Sequence, residues 1–190
     1  TAQMFPNLFR RIFAEGAFSQ AFVPVYARTQ KEQGEGVAAG VASQSLSVLL
    51  LATVAITIAA QIAMPWIMLV IHGGYADQPE YFNYAILLTQ ITMPYLAGMS
   101  AAALFSGVLN TAGRFALSAA APIFLNLCIL AAVLPAPDPS TAALWGAIAI
   151  AVAGVGQAVL LYWGCRRLGV RIGFRAPALT PDVKRILVLM

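Results

Sequence analysis

Residues 38 to 71 read AAGVASQSLSVLLLATVAITIAAQIAMPWIMLVI, 34 positions without a charge. About 20 apolar residues cross a bilayer core of roughly 30 Å, and no water-soluble domain needs an uncharged run of this length. As a straight helix the run would rise about 51 Å, so it must tilt, bend or continue into the interface, and Pro65 is the obvious place for a bend. Outward from it, further apolar runs fall at 5 to 27, 83 to 109, 117 to 134 and 141 to 165, with another beginning over 182 to 190. Hydrophobic residues make up 61% of the chain and charged residues 9%, and mean hydropathy is +0.81. These values predict an all-α, polytopic transmembrane helix bundle, a single membrane domain over 1 to 190 with no extramembrane domain. The chain opens at Thr1 without an initiator Met and stops at Met190 inside a newly started run, which reads as an internal fragment.

The connections between runs alternate in charge. Arg28 and Lys31 lie in the first, none in HGGYADQPE, Arg114 in the third, none in PAPDPS, and Arg166, Arg167, Arg171 and Arg175 in the fifth. The positive-inside rule therefore puts 28 to 36, 110 to 116 and 166 to 181 in the cytoplasm, and His72, Asp77, Glu80 and Asp138 outside. Topology accounts for the net charge of +4. A nucleic-acid partner is not expected, because no basic stripe with interleaved aromatics exists outside the membrane segments.

On this topology the first run enters from outside near Pro6, and nine residues later Glu15 is about 14 Å deep, near mid-bilayer. Arg10, Arg11 and Glu15 are thus charges at membrane depth, which costs about 2.5–3.5 kcal/mol each on insertion scales and marks a functional candidate. Arg11 and Glu15, four apart, can pair on one helix face. Arg10 points elsewhere, along Ala14, Ala17 and Ala21, small residues that either admit a neighbouring helix or leave a solvated cavity. A free guanidinium there suits a diphosphate, whose oxygens match its planar fork. The competing reading is a buried Arg–Glu bridge that only fixes helix packing.

Gln44, Gln61, Gln90, Asn126 and Gln157 are single polar residues in the other spans, expected as interhelical hydrogen-bond partners. Asn126 follows Pro122 by one turn, where a freed carbonyl needs a partner. Gly36 with Gly40, and Gly154 with Gly156, suggest close helix packing. Cys128 and Cys165 read as packing residues, and His72 has no second ligand nearby. No nucleotide-binding loop, HExxH pair, GxSxG elbow or paired carboxylates occur, so the sequence points to no catalytic residue, metal or cofactor.

The stretch FPNLFRRIFAEGAFSQAFVPVYA at 5 to 27 resembles the second-helix signature of the MurJ (MviN) lipid II flippases. SGVLNTAGRFALSAAAPIFLN at 106 to 126 is similar to that family's fourth-to-fifth helix connection, through Leu109, Asn110, Arg114, Phe115, Pro122 and Asn126, and QITMPYL at 90 to 96 also fits. The resemblance implies helices two to six, and the start of helix seven, of a fourteen-helix exporter in the multidrug/oligosaccharidyl-lipid/polysaccharide superfamily. It implies an inner-membrane, non-enzymatic flippase that moves lipid II, the undecaprenyl-diphosphate-linked peptidoglycan precursor, by alternating access between two lobes around a cationic cavity. Its partners would be lipid II, membrane lipids and the remainder of the parent chain. The family's cavity arginine and glutamate fall on Arg10 and Glu15, with Arg11 as their neighbour, whereas Asn110, Arg114, Pro122 and Asn126 are implied as structural. The chain departs from the family at His72 to Tyr75, where relatives often have a Pro-Gly-Phe turn. Alternatives are an exporter of another polyprenyl-linked glycan, a membrane enzyme of polyprenyl-phosphate metabolism, or a non-transporting scaffold in which Arg10 and Glu15 are merely bridged.

Overall fold

The structure is a computed structural model that describes residues 17–72, 79–174, 180, 181, 183, 184 and 186. Among the described residues six helices follow one another: α1 Ala17–Gln33, α2 Glu35–His72, α3 Pro79–Thr92, α4 Tyr95–Thr111, α5 Phe115–Val133 and α6 Pro139–Arg167. Four stretches of these residues are long and apolar enough to cross a membrane: Glu35–Val70, Pro79–Thr111, Phe115–Val133 and Pro139–Arg167. The chain is an all-α, multi-pass membrane protein.

Helix α1 forms because its apolar residues recur every three or four positions. Phe18, Ala21, Phe22, Val25, Tyr26 and Thr29 make one buried stripe. Along it the Phe18, Phe22 and Tyr26 rings stack at 5.3 and 5.5 Å between centroids. Gly34, at φ +89°, ends the helix, a left-handed conformation that a side chain would oppose. Helix α2 then runs for 38 residues, with Pro65 inside it. Its buried side carries hydroxyls that bond back one turn: Ser43 to the Ala39 carbonyl, Ser47 to Ser43, Thr53 to Leu49 and Thr57 to Thr53, at 2.7 to 3.0 Å. That local bonding lets polar residues sit in an apolar core. The opposite side exposes Leu51, Ile58, Ile62, Trp66 and Val70. In water this face would be a fault; in hydrocarbon it is solvated.

The apolar run over 83 to 109 is not one helix. It breaks at Met93–Pro94, separating α3 from α4, because Pro94 has no N–H to continue the ladder and its ring clashes with the preceding turn. Helix α4 is central: it packs on α1, α2, α5 and, most extensively, α6. The α4–α6 approach depends on Gly98 and Gly154, since a Cβ on Gly98 would lie 2.5 Å from the Gly154 carbonyl carbon. Gly154 and Gly156 therefore serve close packing as expected, with Gly156 against the Phe124 ring. Gly36 does not: a Cβ there would meet nothing within 4 Å. It lies at the start of α2, before the bundle closes around that helix.

Helix α5 buries only Ala121 and packs chiefly on α6. Helix α6 starts at Asp138, whose carboxylate accepts from the Ser140 and Thr141 amides at 3.0 and 2.9 Å, with Pro139 at the first helical position. The larger core cluster joins α1, α2, α4 and α6; a smaller one gathers Ala60, Met64, Met68 and Met93 between α2 and the α3–α4 break. Alternating helix direction places Arg28, Lys31, Arg114, Arg166, Arg167 and Arg171 at one end of the bundle and Asp138 at the other. At the cationic end the segment after α6 returns to α2, where the Gly173 amide donates to Ser43 Oγ and Thr180 Oγ1 donates to Gln44 Oε1.

Candidate functional site

Arg10, Arg11 and Glu15 lie outside the described residues. The structure does describe the helix that follows them, and α1 is sharply two-sided. Its buried stripe packs on α2 and α4, while Gln20, Pro24 and Arg28, one turn apart, are exposed along the other side. Of the two possibilities for the small-residue face, Ala21 shows the first: it is 2% exposed and packed among neighbouring helices. Beside it, α4 approaches so closely that a Cβ on Gly107 would meet the Phe22 ring at 3.1 Å. Arg28 on the open face is neutralised by Glu32, Nε to Oε1 2.9 Å, an exposed i,i+4 pair worth only about 0.3–0.5 kcal/mol.

The spacing of the glutamines carries a signal that interhelical bonding alone does not describe. Pro65 and Pro94 each withhold the N–H that would bond the carbonyl four residues earlier, and those carbonyls belong to Gln61 and Gln90. Gln61 Nε2 donates to the Gln90 carbonyl at 3.3 Å, and Gln90 Nε2 donates to the Gln61 carbonyl at 3.1 Å. Each side chain thus satisfies the acceptor that the other helix's proline leaves open. The recurring Gln-x-x-x-Pro pattern is readable in the sequence, and it recurs as Gln20–Pro24 on the open face of α1. Among the described residues the Gln20 side chain makes no hydrogen bond. A bare amide beside a proline-freed carbonyl is poorly suited to lipid, so this face suits polar surroundings.

The four residues expected to be structural occupy different settings. Asn110, near the end of α4, is part-buried, and its Oδ1 is enclosed without a hydrogen-bond partner among the described residues. Arg114 stands in the N-cap position of α5, exposed, its amide donating to the Leu109 carbonyl at 2.9 Å to close the turn. Pro122 lies within α5 beside a cavity of about 190 Å³ that also meets Tyr95, Ser106, Ser118 and Gln157. There Gln157, 4% exposed, donates from α6 to the Ala121 carbonyl, whereas the carbonyl that Pro122 frees, four residues earlier, is that of Ser118. Asn126 serves neither. It is exposed on α5 and makes no side-chain hydrogen bond among the described residues.

Cys165 is buried, with Sγ 3.6 Å from the Phe105 carbonyl, and Cys128 is part-buried; both are free thiols. Among the described residues no three His, Cys, Asp or Glu side chains gather where they could hold a metal ion. The described chemistry is therefore hydrogen-bonded amides inside the bundle, an open polar face on α1 and cations at one end.

Residues 1–190 match the protein-family model described as lipid II flippase MurJ. The chain is 43% identical over 190 residues to a probable lipid II flippase MurJ of Rhizobium tropici, covering 97% of this chain and 36% of that relative. It is 40% identical over 197 residues to the probable lipid II flippase MurJ of Rhizobium meliloti (strain 1021), covering 100% of this chain and 36% of the relative. The lipid II flippase MurJ of Burkholderia cenocepacia is 36% identical over 193 residues, 97% of this chain and 37% of its own. The chain thus spans a little over a third of the length of the curated relatives it matches.

Proposed function

The chain belongs to the lipid II flippase MurJ family, and we propose that, within a longer parent protein, it forms part of a flippase moving lipid II from the cytoplasmic to the periplasmic leaflet of the inner membrane. The observation that carries this reading is the family match over the whole of residues 1–190, together with relatives of 43% and 40% identity that carry that name. The described fold supports it with a helix α1 packed on one side and open, with polar residues, on the other.

Arg10 is the residue for the lipid's diphosphate. It is the arginine that an Arg11–Glu15 pair, four positions apart, leaves without a partner. Arg11, four positions before Glu15, suits a pairing with it. Glu15 then balances cavity charge and is the group that would answer to a coupling ion or proton. The chain alone would not transport, because alternating access needs a second lobe to close against.

The test is complementation of a flippase-depleted strain by the full-length parent. Arg10→Ala should abolish rescue at normal membrane levels, and Arg10→Lys should restore less than its charge implies, because the bidentate fork is lost. Normal growth with Arg10→Ala refutes the assignment.

A further inference from the structure

Arg114 and Arg167 belong to the start of α5 and the end of α6, yet both line one cavity of about 450 Å³. Its floor is Leu109, Leu117 and Leu168, and Trp163 stands at its side. The Arg167 guanidinium carbon lies 3.7 Å from the centre of the Trp163 ring, so the cation is held against an aromatic face with its edge open to an acceptor. Among the described residues no acidic side chain lines the cavity, and neither arginine forms an ion pair. The Gly164 and Cys165 carbonyls at this end already accept from the Leu168 and Val170 amides, at 3.3 and 3.1 Å.

A topological preference for positive charge on one side explains why arginines occur in these connections. It does not explain why two of them converge on one cavity with a leucine floor and a tryptophan one turn inside the helix end. Paired guanidiniums over apolar surface match a phosphodiester that carries acyl chains. The adjoining face of α5 continues the fit, since Phe115, Ile123, Leu127 and Leu130 are exposed along it.

We propose that Arg114 and Arg167 form a binding site for the headgroup phosphate of an anionic membrane phospholipid, with Trp163 at the level of the glycerol backbone and the acyl chains along α5. The site, on α5 and α6, is separate from the open face of α1, the helix whose buried stripe packs on α2 and α4. It does not depend on the flippase reading.

The full-length parent, purified in detergent, should be titrated with phosphatidylglycerol and, separately, with phosphatidylcholine, and bound lipid counted by native mass spectrometry. Phosphatidylglycerol should be retained in preference, and Arg114→Gln or Arg167→Gln should each weaken its retention roughly five-fold, the pair more, while phosphatidylcholine retention stays unchanged. Replacing both by Lys should keep part of the preference. Inorganic phosphate at equal concentration should fail to displace the lipid. Unchanged phosphatidylglycerol retention in the double Gln variant, equal loss of both lipids, or displacement by inorganic phosphate would each overturn the proposal. Because lipid retention is read directly, this result stands apart from the complementation outcome for Arg10.

Discussion

Gln61 on α2 and Gln90 on α3 exchange side-chain hydrogen bonds, each amide reaching the other residue's carbonyl, at 3.3 and 3.1 Å. Both carbonyls are open because a proline stands four residues later, Pro65 in one helix and Pro94 at the break that follows the other. Two defects in separate helices are thereby converted into one interhelical contact.

Gln90→Leu should destabilise the full-length protein by about 1 kcal/mol, since it strips the Gln61 carbonyl of its donor inside the bundle. In a Pro65→Ala background the same change should cost much less, because residue 65 then supplies its own N–H. Reversible unfolding in mixed micelles across the four proteins measures this coupling. Equal cost in both backgrounds would mean that the proline-freed acceptor is not what Gln90 serves.

Gly98→Ala should be the more damaging of two matched glycine substitutions. Its Cβ would sit 2.5 Å from the Gly154 backbone, forcing α4 and α6 apart at a cost of about 1–3 kcal/mol. Gly36→Ala meets open space in a helix and should be neutral or stabilising by up to about 1 kcal/mol. Thermal midpoints of the two variants against the parent decide it.

Asp138 caps α6 from outside the membrane-spanning segments. Hydrogen bonds from the Ser140 side chain, then the Thr141 amide and hydroxyl, hold its pKa near 2 against an ordinary 3.8. A lowered pKa means that the capping contribution is fully present above about pH 4 and is lost as pH falls toward 2. The stability gap between wild type and Asp138→Ala should be constant from pH 7 to 5 and narrow below 4. A gap that widens on acidification contradicts the sign.

Thiol labelling should separate the two cysteines. Cys128 is part-exposed on α5, whereas Cys165 is fully enclosed beside the Phe105 carbonyl. A membrane-permeant maleimide should modify Cys128 in the native protein and Cys165 only after unfolding, as peptide mass mapping would show.

The all-α membrane class and the family were legible along the chain because each depends on local quantities: the length of an apolar run, the residues of a short motif. Residues 38 to 71 announced a membrane helix without reference to anything they touch. The run at 83 to 109 was harder, because Pro94 sits inside it and hydropathy is blind to a missing N–H. The Gln-x-x-x-Pro spacing was present in the sequence, but nothing local says that Gln61 and Gln90, 29 residues apart, lie opposite each other. Asn126 was assigned a partner's role one turn after Pro122, yet it is exposed and makes no side-chain hydrogen bond among the described residues, and the amide presented to α5 is that of Gln157, since only packing sets which helix supplies it.

The sequence by itself determined that this protein lives in a bilayer, with the arginines of its connections gathered on one side, and which family it belongs to. Only the tertiary structure decided which glycine is indispensable, which amides answer which carbonyls, and that Arg114 and Arg167 share a cavity. The physical reason is range. Transfer of an apolar segment into lipid is a sum over its own residues, whereas a hydrogen bond or a backbone approach exists only when distant segments arrive within a few ångströms of each other.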